Sequence, residues 1–217
     1  MQTIVLASRK GGAGKTTLAI HLAAEADRAG AGPVVLIDAD PMEGTASWFA
    51  DRKLGSGPQL INVIEVGLKA GLQAARRGGV KLVIIDTPPA ATAAIHAIIN
   101  ECDLAIIPVV PSPNDLRAIG ETLDLVKGSN RPLLFVLNNA SARAKLTGQA
   151  SRILSRYGPV AEVVVCSRQD YRSAMIDGRA AFELKSNSLA AKEIADLWID
   201  VASRLKEGAK VHGKGTR

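Results

Sequence analysis

Short, almost unbroken apolar runs rich in Val, Ile and Leu alternate along the chain with longer stretches of helical periodicity. The runs fall at residues 3–7, 34–37, 60–63, 81–85, 104–109, 133–137 and 161–165. None alternates apolar with polar, as a half-exposed strand would; continuous runs mark strands covered on both faces. Helical patterns occupy 15–29, 66–76, 90–99, 114–126 and 142–157. A last one, over 188–206, sets Leu189, Ile194, Leu197, Trp198, Val201 and Leu205 on one face. This alternation predicts an α/β fold with a doubly wound, mostly parallel sheet of about seven or eight strands flanked by helices. No internal repeat breaks the pattern, and Gly55-Ser56-Gly57-Pro58 reads as a loop rather than a linker. The expected organisation is a single domain over 1–207 and a Gly- and Lys-rich, disordered tail over 208–217.

A length of 217 residues suits one well-buried domain, and 47% apolar with 22% charged residues excludes disorder for the bulk of the chain. Aromatics at 3% leave little for a base-stacking platform on single-stranded nucleic acid. The two cysteines, Cys102 and Cys166, match no disulfide, zinc or iron–sulfur spacing. They read as small buried hydrophobes in a reducing cytoplasm. The N-terminus lacks a signal-peptide pattern, and no apolar run approaches the roughly 20 residues that span a bilayer. The net charge of +6 is uneven: residues 1–108 carry 10 basic and 10 acidic side chains, residues 109–217 carry 17 and 11. The surplus in the second half is either an ordinary solvated surface or one that faces a polyanion.

The first apolar run leads into Ser8-Arg9-Lys10-Gly11-Gly12-Ala13-Gly14-Lys15-Thr16-Thr17 and then a helix. Strand, glycine-rich loop, lysine and helix are the context a phosphate-binding loop requires. Glycines let successive N–H groups point at phosphate oxygens, and the helix N-terminus adds partial positive charge. Residues Lys10, Gly11, Gly12, Ala13, Gly14, Lys15, Thr16 and Thr17 are the candidate nucleotide contacts. Lys15 would reach the β- and γ-phosphates and the Thr16 hydroxyl Mg²⁺. The plain G-x-x-x-x-G-K-[ST] pattern fails, because its first glycine falls at Arg9; Lys-Gly-Gly-x-Gly-Lys-Thr stands instead, with an extra lysine at position 10.

That loop resembles the deviant Walker A motif of the ParA/MinD family of P-loop ATPases. Three further segments match the family in order: Asp38-Ala39-Asp40-Pro41 its switch segment, Asp86-Thr87-Pro88-Pro89 its Walker B-like segment, and Pro108-Val109-Val110-Pro111-Ser112-Pro113 a third. Met42-Glu43-Gly44 departs from the Gln-Gly that many members carry after the switch proline. The resemblance implies that Lys10 crosses a homodimer interface to the partner's phosphates, with two ATP molecules sandwiched between subunits. It further implies that Asp40 positions the attacking water, that Asp38 supports the metal shell with Thr16 and Asp86, and that Asn138 contacts adenine. Lys10, Lys15 and Asp40 are thus the expected catalytic residues, with ATP and Mg²⁺ as cofactors. Read by themselves, Asp38 and Asp40 can equally cap a helix, and Asn138-Asn139 can equally form a turn. The guanine signature Asn-Lys-x-Asp does not follow that strand, which favours ATP over GTP.

Arg168, Arg172 and Arg179 stand four and seven residues apart, on one face if residues 168–178 are helical, and Lys185 follows. Their segment resembles the region through which small ParA proteins bind DNA without sequence preference; the plainer alternative is an exposed helix with salt bridges to Asp170 and Asp177. The expected function is an ATP-dependent DNA-segregation ATPase, dimeric with ATP, nucleoid-associated, and stimulated by a ParB-type or other cargo adaptor. The alternative is a positioning ATPase for a protein cargo, or a MinD-like switch on a membrane. The acidic residues on the last helix, Asp196, Asp200 and Glu207, weigh against membrane association.

Overall fold

Six of the seven apolar runs become strands. In the computed structural model, residues 1–42, 44–63, 67–89, 93–127, 129 and 131–212 are described. The strands are β1 (Gln2–Leu6), β2 (Val34–Asp38), β3 (Gln59–Asn62), β4 (Leu82–Asp86), β5 (Leu104–Val109) and β6 (Leu133–Leu137). They pair in parallel throughout, in the order β3-β2-β4-β1-β5-β6. The helices are α1 (Lys15–Arg28), α2 (Gly44–Asp51), α3 (Leu68–Arg77), α4 (Ala93–Asn100), α5 (Pro113–Lys127), α6 (Lys145–Leu154), α7 (Gln169–Met175), α8 (Ala181–Leu184) and α9 (Leu189–His212).

Each central strand feeds two cores, which is why its residues read as continuously apolar. On one face Ile4, Leu6, Leu36, Ile84 and Ile106 pack with α1, α9, Trp48 and Tyr171. On the other, Val5, Ile37, Ile85, Ile107 and Phe135 pack with α3, α4, α5 and α6. At roughly 25 cal/mol per Å² of apolar surface removed from water, these two layers drive the folding.

The sheet is smaller than expected, with six strands rather than seven or eight. The run at 161–165 follows the edge of β6 but is not a strand. Ala161 N–H bonds to Phe135 O and Val165 N–H to Leu137 O. The acceptors are two residues apart and the donors four, so two extra residues bulge outward and only isolated bridges remain, at Val160 and Cys166. Two short helices, α2 and α8, have too few turns to leave a periodic signal. Helix α9 runs on through Gly208 to His212, into the segment expected to be a disordered tail; residues 213–217 lie outside the described residues. So do Glu43 of the switch segment and the predicted helix starts at 66 and 90.

The basic segment also differs from expectation. Helix α7 ends at Met175, and Gly178 turns the chain with a φ of 71°. Arg168 is the N-cap of α7 and Arg179 lies beyond its end, so Arg168, Arg172 and Arg179 do not share a helical face. The corner is fastened to α2: the Arg52 guanidinium donates to Gly178 O at 2.8 Å and pairs with Glu183 at 2.7 Å, and Trp48 Nε1 donates to Arg179 O at 3.0 Å.

A Cβ at Gly178 would sit 2.3 Å from the Arg52 backbone, whereas one at Gly30, with a similar φ of 79°, meets nothing within 4 Å. Gly30→Ala should therefore cost about 1 kcal/mol from its backbone conformation alone, and Gly178→Ala clearly more, about 3 kcal/mol. Urea denaturation of both variants checks the difference; equal costs would mean that the α2 contact is not tight.

Candidate functional site

The glycine-rich loop leaves β1 at the C-terminal edge of the sheet, where the register also brings Asp38 and Asp86 side by side. This is the edge at which doubly wound sheets bind ligands. Gly12 and Gly14 adopt φ of 75° and 92°. At Gly14 there is also no room for a side chain, since a Cβ would lie 2.1 Å from Asn138 Nδ2. Gly14 is the N-cap of α1 and offers its first turn no side-chain partner. The N–H groups of Lys15, Thr16 and Thr17 are thus left for an anion, with the positive end of the helix dipole behind them.

Lys15 is 6% exposed. Burial lowers the pKa of its ammonium, and the nearby carboxylates of Asp86 and Asp40 offset this only in part. A desolvated cation of this kind gains most from an anionic ligand. Asp86 is fully buried. Its Oδ2 accepts hydrogen bonds from Thr16 Oγ1 at 2.6 Å and Thr45 Oγ1 at 3.0 Å, while its Oδ1 has no partner. Burial pushes its carboxyl up to about 6, against the two threonine hydrogen bonds, which favour the charged form. A hydroxyl and a carboxylate with a spare buried oxygen are the hard donors that Mg²⁺ takes. Among the described residues no group of three or more His, Cys, Asp or Glu could hold a metal by itself. An ion here would need phosphate oxygens to complete its shell, as is usual for Mg²⁺ at nucleotide sites.

Asp38 is fully buried, and both its oxygens face backbone amides: Oδ1 that of Asp40 at 3.1 Å, Oδ2 that of Ala46 at 2.8 Å. It therefore caps the first turn of α2 and braces the switch loop, and burial raises its pKa. Asp40 holds the next turn through Met42 N–H at 3.0 Å and lines the pocket. Asn138 is buried at the end of β6 and donates from Nδ2 to Ala13 O at 2.8 Å. It ties the loop down, and its amide retains a second N–H donor and the Oδ1 acceptor.

Lys15, Thr16, Asp40 and Asn138 line a cavity of about 370 Å³, with Asp38 and Asp86 buried behind it. One wall is the loop from Gly11 to Thr17 with Asp40; the other is formed by Asn138, Cys166, Arg168, Tyr171 and Arg172. A lining of loop amides with Lys15, Arg168 and Arg172 suits an anionic ligand. Lys10, in contrast, does not line the cavity. Its Nζ lies 2.6 Å from Asp115 Oδ2, in the first turn of α5, and its side chain stays 44% exposed. Asp115 is buried and belongs to the N-terminal cap of α5, where its N–H donates to Ser112 Oγ at 3.1 Å.

The predicted DNA contacts separate. Arg168 pairs with Glu193 and borders the pocket; Arg179 pairs with Asp177 at 2.6 Å. Arg172 and Lys185 are exposed, and Arg172 also borders the pocket. Sequence reasoning missed Thr45, Asp115, Tyr171 and Glu193. Only Asp115 had a local signal, the Ser112-x-x-Asp115 capping pattern, and nothing in it points to Lys10.

Comparisons with known proteins agree with this geometry. The family model for the CobQ/CobB/MinD/ParA nucleotide binding domain matches residues 4–181. The maintenance of carboxysome distribution protein A of Halothiobacillus neapolitanus is 30% identical over 200 residues, covering 88% of this chain and 91% of that protein. Protein ParA of Rhizobium radiobacter is 26% identical over 211 residues, covering 90% and 93%. The structure of the Pyrococcus horikoshii septum site-determining protein MinD with Mg-ADP superposes with a TM-score of 0.73 at 18% identity, covering 92% of this chain and 95% of that one.

The buried Asp86 carboxylate has a measurable signature in the metal-free protein. Its folded pKa of about 6 lies above the ordinary 3.8, so the native state holds a proton that the unfolded chain has released in that window. Its contribution to stability is full below the lower value and is lost as pH rises through the higher one. Between pH 7.5 and 5 the wild-type chain should gain about 1.4 kcal/mol from this group, and Asp86→Asn should lack the gain. Urea denaturation in EDTA at both pH values measures it; parallel behaviour of the two proteins would place the Asp86 titration elsewhere.

Proposed function

The chain belongs to the CobQ/CobB/MinD/ParA nucleotide-binding family and is an ATPase, and on that footing we propose that it positions a large protein cargo through an ATP-driven cycle of dimerisation. The observation that carries this reading is the placement of Lys10. A lysine in a phosphate loop that reaches away from its own pocket, exposed and held by Asp115, is available to a second copy's nucleotide. The similarity over most of both chains to a carboxysome distribution protein supports a protein assembly as the cargo.

In this reading the amides of residues 11–17 and Lys15 hold the phosphates, and Asp40 orients the attacking water. Thr16 and Asp86 would hold Mg²⁺, which when bound neutralises charge developing on the phosphates. Asp38 keeps Asp40 in place through the backbone. Lys10 leaves Asp115 and crosses to the partner's nucleotide, so the site is complete only in the dimer. A cargo adaptor would then stimulate hydrolysis and release the subunits.

Arg172 and Lys185 support a weak, sequence-independent hold on DNA as the track for this cycle. Helix α9 supports DNA over a lipid surface, since its apolar face is spent on the core through Ile194, Leu197, Val201 and Leu205. Among the described residues no helix is long and apolar enough to cross a membrane. A second reading, segregation of DNA, draws on the similarity to Rhizobium radiobacter ParA.

Two measurements test the proposal. Lys10→Ala should lose ATP-dependent dimerisation on sizing with light scattering, while ATP affinity changes by no more than about threefold, under 1 kcal/mol. A normal dimer in this variant would remove the cross-interface role. Random-sequence duplex DNA should bind with ATP, be released with ADP, and bind at least about tenfold more weakly as salt rises from 50 to 200 mM. Binding indifferent to nucleotide would sink the DNA track.

A further inference from the structure

The wall of the cavity opposite the phosphate loop is organised by one residue that does not line it. Glu193, on α9, accepts hydrogen bonds from three pocket residues. Arg168 donates through Nε at 2.9 Å and Nη2 at 2.6 Å to Oε1. The Cys166 backbone N–H, at 3.1 Å, and the Tyr171 hydroxyl, at 2.9 Å, both donate to Oε2. Cys166, Arg168 and Tyr171 all border the cavity. They come from the turn into α7 and from α7 itself, a seven-residue helix whose far end is the corner held by Arg52 and Trp48. The Ser167 N–H also bonds to Ala140 O at 2.9 Å and the Tyr171 hydroxyl reaches Ala190 O at 3.1 Å, but only Glu193 joins Cys166, Arg168 and Tyr171 through one side chain.

The same cluster reaches back to the loop. Tyr171, 5% exposed, meets His21 edge to face with ring centroids 5.1 Å apart, and His21 Nδ1 lies 2.8 Å from Thr17 O on α1. Burial pushes the His21 imidazole down to about 4, so it stays neutral and donates to that carbonyl. A chain of contacts thus runs from α9 through Glu193 and Tyr171 to the phosphate-binding end of α1. Burial works against the Glu193 charge, but the bonds from Arg168, Cys166 and Tyr171 outweigh it and hold the carboxylate ionised. A buried polar cluster with its donors and acceptors matched is rigid, and a partly broken one is costly.

We infer that Glu193 is a positioning residue for the nucleoside half of the bound nucleotide: it sets Cys166, Arg168 and Tyr171 as the wall against which ribose and base rest. The inference builds on the nucleotide reading above, in which the loop takes the phosphates. With the phosphates at Gly11–Thr17, the rest of the nucleotide must extend along the cavity toward this wall. The last helix, which contributes no residue to the cavity lining, then sets affinity for the part of the nucleotide common to ATP and ADP. Arg168, one of the cations first assigned to DNA, works inside the nucleotide site instead.

The probes are ATP, ADP and inorganic tripolyphosphate, each with Mg²⁺, titrated calorimetrically into the full-length wild type, Glu193→Gln and Arg168→Lys. Both variants should lose about tenfold in affinity for ATP and ADP alike, corresponding to 1.4 kcal/mol. Tripolyphosphate, which has no nucleoside half, should bind all three proteins equally. A merely structural loss would weaken all three probes together, and that result overturns the inference. So does unchanged ATP affinity in both variants. Should Glu193→Gln not fold, Arg168→Lys alone gives the same comparison, because it keeps the charge and loses the two-nitrogen grip on Oε1. Failure of the wild type to bind ATP would instead remove the nucleotide reading itself.

Discussion

A buried carboxylate with one oxygen unpartnered is the constraint around which this molecule is arranged. Asp86 ends a central strand in full burial, where an unpaired charge is costly. Most of the groups around it reduce that cost without removing it. Thr16 and Thr45 donate to one oxygen, Lys15 lies close enough to favour the charge, and Asp38 next to it opposes it. A more stable protein would place an apolar residue here. The unsatisfied state is the kind of local destabilisation that ligand sites retain, since a cation and phosphates relieve it.

From that point the architecture follows by short steps. Thr45 reaches Asp86 only because α2 starts directly after the switch loop, and α2 starts there because Asp38 caps it. Helix α2 in turn holds the corner between α7 and α8 through Arg52 and Trp48. The corner leads to α9, whose Glu193 returns to the far wall of the pocket. Polar contacts from α2 with its neighbour Arg52, and from α9, therefore brace the two sides of the site. Lys10 stands apart from them, paired with a residue of α5. In the proposed cycle a lysine held in this way leaves the isolated subunit incomplete, so that two copies are needed.

Much of this was legible along the chain. Strands buried on both faces and helices buried on one have different apolar periods, so both kinds of element, and the parallel sheet they imply, were readable. The glycine-rich loop was readable because φ near +90° at Gly14 requires glycine and a phosphate loop requires lysine beside it. The seventh strand misled, because apolar composition at 161–165 carries no record of the spacing between donors and acceptors. The arginine face misled for a related reason: a spacing of four and seven places residues together only while the helix lasts, and Gly178 ends it.

The sequence by itself determined the alternation of elements, the loop that takes phosphates and the acidic residues at the strand ends, because these depend on local backbone chemistry and on periods of a few residues. Tertiary structure alone decided which charges meet. Lys10 finds Asp115, 105 positions away, and Arg168 finds Glu193, 25 positions away. Such pairings depend on how layers stack and where a short helix stops, and no local pattern encodes them. The division of the second half's positive charge between the nucleotide pocket, internal ion pairs and the open surface was settled only when the chain folded.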